Sequence, residues 1–86
     1  MRSLLYLITS ARALEENPLF VTRPELTQEP EVVLLEEGVR LKHVPVQHVS
    51  VIADDLQERG IVSPFPAIGY REMVEKIFTA DHVIRL

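Results

Sequence analysis

Val-Val-Leu-Leu-Glu-Glu-Gly, residues 32–38, is the stretch of sequence that decides the fold. Its first four residues form an uninterrupted apolar run, which is typical of a strand buried on both faces of a parallel sheet. Glu36 and Glu37 end the run, and Gly38 marks the turn that follows. These residues therefore predict a central strand of an α/β sheet.

Other short apolar runs predict strands beside this one. Leu4–Ile8 precedes it and closes on Thr9 and Ser10, and residues 49–53 follow it. The apolar residues of Leu4–Ile8 also fit helical spacing, so the pattern does not exclude a helix there. Its β-branched and aromatic members favour a strand. Residues 67–69 are a brief fourth candidate.

Two short segments carry the signals of capped helices. Residues 11–16 follow Ser10, whose hydroxyl is a suitable N-cap. Residues 54–60 start with Asp54 as the predicted N-cap and end with Gly60, which suits the position past a helix end. The link between Gly38 and the next strand leaves room for about one helical turn, where a parallel crossover usually takes a dozen residues or more.

The last predicted helix is the most regular. Its apolar residues recur at i, i+3, i+4, i+7 and i+8, which places them on one face; they are Tyr70, Met73, Val74, Ile77 and Phe78. Residues 17–30 contain three prolines and predict mostly loop. Strands that alternate with helices indicate a single α/β domain over residues 1–86, with a parallel sheet of about four strands and flanking helices. Since so few helices cover that sheet, we expect an exposed apolar area that recruits another subunit.

Composition restricts the classes of function. The chain has 86 residues and a net charge of −4, which fits one small domain and argues against direct nucleic-acid binding by this chain alone. Its apolar runs fall short of the roughly 20 residues that span a bilayer, so we expect no membrane association. It has no cysteine, which excludes disulfides, thiolate metal sites, a cysteine nucleophile and a persulfide carried by this chain. Without a targeting segment, the expected location is the cytoplasm.

No motif for catalysis or for a cofactor is present. The chain lacks a Gly-rich phosphate loop and the Gly-x-Ser-x-Gly elbow. His43 and His48 are five residues apart, which does not place them on one face of a helix or strand, so we expect no metal site. We predict no catalytic residue and no cofactor. An enzyme that uses Asp54, Asp55 or His82 as acid or base stays a minor alternative, and His82 is expected to face solvent near the end of the last helix.

The predicted sheet itself locates a contact surface. In open α/β sheets, ligands and partners meet the loops at the carboxyl ends of the strands. In this sequence the candidate partner-contact positions at those ends are Glu36, Glu37, Gly38, Asp54, Asp55 and Tyr70.

Three stretches of the sequence resemble one family. Residues 33–39, Val-Leu-Leu-Glu-Glu-Gly-Val, are similar to the strand and turn "LLLLQDGV" of the DsrH/TusB family, the H-type branch of the DsrE/DsrF/DsrH superfamily. Residues 49–61 resemble its "VYVLEEDLxARGL", and residues 68–74 resemble its "LIDYxxFVxL". The resemblance covers about the last two thirds of the chain. Before it, an apolar strand that ends near Ser10 is similar to the opening of the family.

The resemblance implies a function. It implies a DsrE/F/H-like α/β fold and a cytoplasmic subunit of a sulfur-relay complex, with E-type and F-type subunits as partners and the persulfide cysteine on the E-type chain. Such complexes serve 2-thiolation of the tRNA wobble uridine or dissimilatory sulfur oxidation. Some H-type members carry a cysteine of their own, and this chain has none, so the implied role is a non-catalytic accessory subunit. The alternative is a self-associating α/β module of unrelated regulatory function, because a fold alone does not fix function.

Overall fold

Five parallel strands form one sheet in a computed structural model that describes residues 4–16 and 30–86. The strands are β1 (Leu4–Ile8), β2 (Glu31–Leu34), β3 (His48–Ile52), β4 (Ala67–Ile68) and β5 (His82–Arg85). They lie in the order β4-β3-β2-β1-β5, and every neighbouring pair is parallel. The predicted α/β domain with a parallel sheet is confirmed, with five strands instead of about four.

Short helical segments connect these strands. They are α1 (Ala13–Glu16), a 3-10 helix (Glu36–Arg40), α2 (Ala53–Arg59) and α3 (Tyr70–Thr79). The 3-10 helix is the single turn for which the β2–β3 link has room. None of the helices in the described part of the chain is long and apolar enough to cross a membrane. The loop predicted for residues 17–30 lies outside the described residues except for Pro30.

The apolar core lies on both faces of the sheet, because side chains alternate along each strand. The link between β2 and β3 covers one face with Val39 and Val44. Helix α3 covers the other face, where buried Met73 packs with Leu5, Val33 and Ile52. The buried residues of the first face are Ile8, Ala13, Val32, Leu34, Val39, Val44, Val49 and Val51.

Helix α3 buries less of its apolar face than its sequence provides. Met73 is buried and Ile77 is partly buried against the sheet. Tyr70, Val74 and Phe78 stay exposed, Phe78 to 83%. Exposed apolar side chains are thus present on this helix, whereas the central strands that were expected to be thinly covered are buried.

Gly38 lies where two segments of backbone approach closely. It is buried within the 3-10 helix, and a Cβ on it would lie 2.1 Å from the carbonyl oxygen of Ile8 at the end of β1. No side chain fits in that space, so a glycine is required here for contact and not for its φ angle. Gly60 is different, because it ends α2 in the left-handed conformation with φ 62°, as predicted.

The predicted helix of residues 11–16 is shorter than expected, because α1 begins at Ala13 and Ser10 is therefore not its N-cap. Two further sequence predictions are wrong. Asp54 is not an N-cap, because α2 begins one residue earlier at Ala53, with Ile52 at the cap position and no side-chain cap hydrogen bond. His82 does not end the last helix, since α3 stops at Thr79 and His82 begins β5. His82 is exposed, as expected. Both errors arise at junctions where strand and helix follow each other with hardly any loop between them.

Candidate functional site

Three neighbouring strands bring the predicted contact residues together at one edge of the sheet. Glu36 and Glu37 come just after β2, Asp55 lies in the first turn of α2 after β3, and Tyr70 begins α3 after β4. Since β2, β3 and β4 are adjacent and parallel, their carboxyl ends lie side by side at the same end of the sheet. We call Glu36, Glu37, Asp55, Arg59 and Tyr70 the Asp55 network.

Asp55 is the centre of this network. Its side chain is buried, with 4% of the residue exposed. Oδ2 accepts a hydrogen bond of 2.8 Å from the backbone N–H of Glu36, and Oδ1 accepts one of 2.8 Å from the Tyr70 hydroxyl. Nη1 of Arg59 lies 3.8 Å from Oδ1. Hydrogen bonds to both oxygens and a nearby cation compensate the buried carboxylate.

The local backbone explains why Asp55 points into the network. Because α2 starts directly after β3, Asp55 already lies within the helix and its carboxylate is not used as a cap. Glu36 has φ 53°, which makes it the one non-glycine residue with positive φ in the described ranges. That conformation is unfavourable for a residue with a Cβ. The bond between the Glu36 N–H and Asp55 helps to hold it.

Arg59 connects Asp55 to the exposed surface of the site. Its Nε donates a hydrogen bond to Glu37, and its Nη1 donates one of 3.3 Å to the carbonyl oxygen of Asp55. Glu37 also accepts a bond of 3.0 Å from Nε of Arg40. Hydrogen bonding to Arg59, and then to Arg40, lowers the pKa of Glu37, while the bond to Glu37 raises the pKa of Arg59. The Glu37 carboxylate and the Arg59 guanidinium therefore stay charged. Their ion pair lies on the side of the network that faces solvent.

Tyr70 closes the network on the side of β4. Its hydrogen bond to Asp55 raises the pKa of the phenol to about 12, and desolvation by burial adds to the shift. The phenol is therefore neutral at physiological pH and donates its proton to Asp55. Through its hydrogen bonds with Glu36 and Tyr70, Asp55 links the segment after β2 to the start of α3, so the network braces the ends of neighbouring strands.

Replacing Tyr70 with phenylalanine tests this hydrogen bond. We expect a loss of unfolding free energy of at most about 1 kcal/mol near neutral pH, because the hydroxyl is partly exposed and solvent replaces part of the bond. The folded pKa of about 12 is higher than the ordinary value of 10.0. The stabilisation is therefore complete below pH 10 and disappears as the pH rises to 12.

Urea unfolding of both proteins across this pH range measures the effect. The difference in unfolding free energy between wild type and Tyr70→Phe should fall to zero as the tyrosine ionises. A gap that stays constant to pH 12 would contradict the bond.

The six predicted contact positions differ in exposure. Glu36, Glu37, Asp54 and Tyr70 are exposed, whereas Gly38 and Asp55 are buried. The first four side chains can therefore contact a partner directly. The two buried residues can act only by positioning the backbone of the exposed ones. Arg59 was not predicted, although it lies four residues after Asp55 on a predicted helix, which is the spacing of a helical ion pair.

The structure does not bring His82 together with Asp54 and Asp55, the other two groups of the acid–base alternative. His82 lies at the amino end of β5, which is an outermost strand of the sheet. Asp54 and Asp55 follow the carboxyl end of β3, at the opposite end of the strands. Residues 4–16 and 30–86 contain no group of three or more His, Cys, Asp or Glu residues that could hold a metal ion. What the geometry provides at this edge is a fixed surface with acidic and aromatic side chains.

Neither a protein-family model nor a curated protein matches the chain.

Proposed function

We propose that the chain is a non-catalytic accessory subunit of a cytoplasmic sulfur-relay complex. In this proposal its partners are E-type and F-type subunits, and the complex serves either 2-thiolation of the tRNA wobble uridine or sulfur oxidation. The basis is the resemblance of residues 33–39, 49–61 and 68–74 to the DsrH/TusB family. The persulfide belongs to a cysteine of a partner, since this chain has none.

One observation supports the proposal more than any other. The three stretches that resemble the family lie apart in the sequence, and Asp55 joins them in space. The first stretch contributes the backbone N–H of Glu36, the second contributes Asp55 itself, and the third contributes the hydroxyl of Tyr70. One structural element of this chain therefore contains residues from all three similar stretches, which supports the proposal. It lies at the edge of the sheet where α/β domains present their partner-binding loops.

The chemistry of this edge suits contact better than reaction. Asp55 is buried and fully hydrogen-bonded, Tyr70 is neutral, and Glu37 is held in ion pairs. Around this fixed centre, Glu36 and Asp54 present exposed carboxylates to solvent. Rim charges of this kind affect the rate and specificity of association. We expect a partner surface with basic groups opposite them.

Charge reversal at this rim tests the proposal. The tagged chain is captured from its native cytoplasm, and the co-purifying proteins are identified by mass spectrometry. We expect wild type to recover small α/β subunits that bear a cysteine persulfide. The double variant Glu36→Lys/Asp54→Lys should recover roughly tenfold less of them, because like charges then face each other across the contact.

A matched control uses the same change of charge on another surface. Glu72→Lys/Glu75→Lys reverses two exposed carboxylates on α3 and should recover the partners as wild type does. Equal recovery by the rim variant would contradict the contact surface. Failure of wild type to recover any cysteine-bearing subunit would contradict the function.

The second candidate, a self-associating module, is favoured by the outer edge of β5, which pairs with no other strand of the described sheet.

A further inference from the structure

The two edges of the sheet differ in how far they are protected from pairing. The edge strand β4 has two residues, and Pro64 and Pro66 precede it. Short strands and nearby prolines prevent other strands from adding to an edge. The opposite edge strand β5 has four residues, contains no proline or lysine, and is exposed along its whole length. Only the β5 edge therefore has the features of a surface that adds another strand.

The hydrogen bonds between β5 and β1 show which backbone groups point outward. Leu86 donates its N–H to the carbonyl oxygen of Leu7 over 2.8 Å, and its own carbonyl accepts a bond of 3.1 Å from the N–H of Thr9. Backbone groups alternate in direction along a strand. The even-numbered residues of β5 therefore bond to β1, and Val83 and Arg85 direct their N–H and C=O groups away from the sheet.

We propose that β5 pairs antiparallel with β5 of a second copy of this chain, about a twofold axis through Val83. This inference specifies the contact of the self-associating module named as the second candidate, and it does not rest on the sulfur-relay function. A twofold axis makes two identical edge strands antiparallel and closes the assembly at a dimer. In antiparallel pairs, residues with outward-pointing groups exchange both of their hydrogen bonds. Val83 can therefore bond directly to Val83 of the second copy, and the two sheets become one.

The sequence of the edge is complementary to itself in this register. With Val83 on the axis, Asp81 lies opposite Arg85 of the second copy, and Arg85 lies opposite its Asp81. Residues 83 and 85 of β5 share one face because side chains alternate, and continuing the strand by one residue in the dimer brings Asp81 to the same face. Two pairs of opposite charge therefore flank a valine pair, which is a favourable cross-strand arrangement. A register shifted by one residue places inward-pointing backbone groups opposite outward-pointing ones and loses these bonds.

Exposure of the apolar side chains fits a surface that is covered in the dimer. Val83 is 40% exposed and Ile84 is 39% exposed. In the dimer, Val83 contacts its counterpart across the axis, and Ile84 lies opposite His82 of the second copy on the other face of the sheet. Since two such short strands bury little area, we expect a weak dimer with a dissociation constant of roughly 10–500 µM.

Sedimentation velocity of the purified full chain at rising concentration tests the proposal. We expect a monomer–dimer equilibrium for wild type. Val83→Lys brings two ammonium groups together at the axis and should weaken the dimer at least about tenfold. The matched control Val62→Lys makes the same change at a valine that is 86% exposed and far from β5 in the sequence, and should leave the dimer as in wild type.

A charge exchange tests the register. Arg85→Asp alone should weaken the dimer, and the double variant Asp81→Arg/Arg85→Asp should restore it, because the pairs then form with the charges reversed. Circular dichroism confirms that each variant is folded. A wild type that stays monomeric up to about 500 µM, a dimer unaffected by Val83→Lys, or a double variant no better than Arg85→Asp would overturn the proposal.

Discussion

Replacing Gly38 with alanine is expected to lower the free energy of unfolding by about 3 kcal/mol, enough to remove much of the stability of a small domain. The added Cβ would lie 2.1 Å from the carbonyl oxygen of Ile8 and 2.8 Å from its carbonyl carbon. These are backbone atoms, and the same oxygen accepts a hydrogen bond of 3.0 Å from the N–H of Leu35. The clash can be relieved only by moving the 3-10 helix away from β1. Urea unfolding followed by circular dichroism measures the loss.

Gly69 is the matched control for this variant. A Cβ there meets no atom within 4 Å, and the residue has φ −88°, which suits any amino acid. Gly69→Ala should therefore change the stability by less than about 1 kcal/mol, in either direction. Equal effects of the two variants would contradict the close approach of the 3-10 helix to the end of β1.

Replacing Asp55 with alanine is expected to cost about 3 kcal/mol of unfolding free energy. The change leaves the Glu36 N–H and the Tyr70 hydroxyl without their acceptor, and it removes the carboxylate that faces Arg59. It also releases the left-handed conformation of Glu36 from the bond that holds it. Chemical unfolding at neutral pH measures the loss, and hydrogen exchange locates it at the carboxyl ends of β2, β3 and β4.

Asp54 gives a control of the same residue type at the adjacent position. Its side chain is exposed and does not cap α2. Asp54→Ala should therefore stay within about 0.5 kcal/mol of wild type. If the two variants were equally stable, Asp55 would not be the centre of the network.

Much of the sheet is predictable from sequence because its strands are buried. Leu4–Ile8 and the run that contains β2 are short apolar stretches, and both form strands at nearly the predicted residues. In contrast, β5 was not predicted, since His82–Arg85 is exposed along its length and has no apolar run to signal a strand. It is a strand because β1 offers an edge to pair with, which is a tertiary effect.

The candidate site shows the same division between local and tertiary information. The positions of Glu36, Asp55 and Tyr70 follow from a rule about the ends of parallel strands, and the structure places them together. Their separate roles were not predictable. Asp54 and Asp55 are adjacent and identical in type, and only the packing of α2 against its neighbours buries one and exposes the other. The sequence signal for an N-cap assigned the structural role to Asp54, whereas Asp55 makes the structural hydrogen bonds and neither side chain caps α2.

Locating the sulfur in the assembled complex tests the proposed function most directly. The tagged chain is purified with its partners, the complex is loaded with sulfur from a persulfide donor, and each subunit is analysed by intact-mass spectrometry. We expect the added sulfur on a cysteine of a partner subunit and none on this chain, which has no cysteine. Sulfur held covalently by this chain, or the absence of a persulfide-bearing partner from the purified material, would contradict the accessory role.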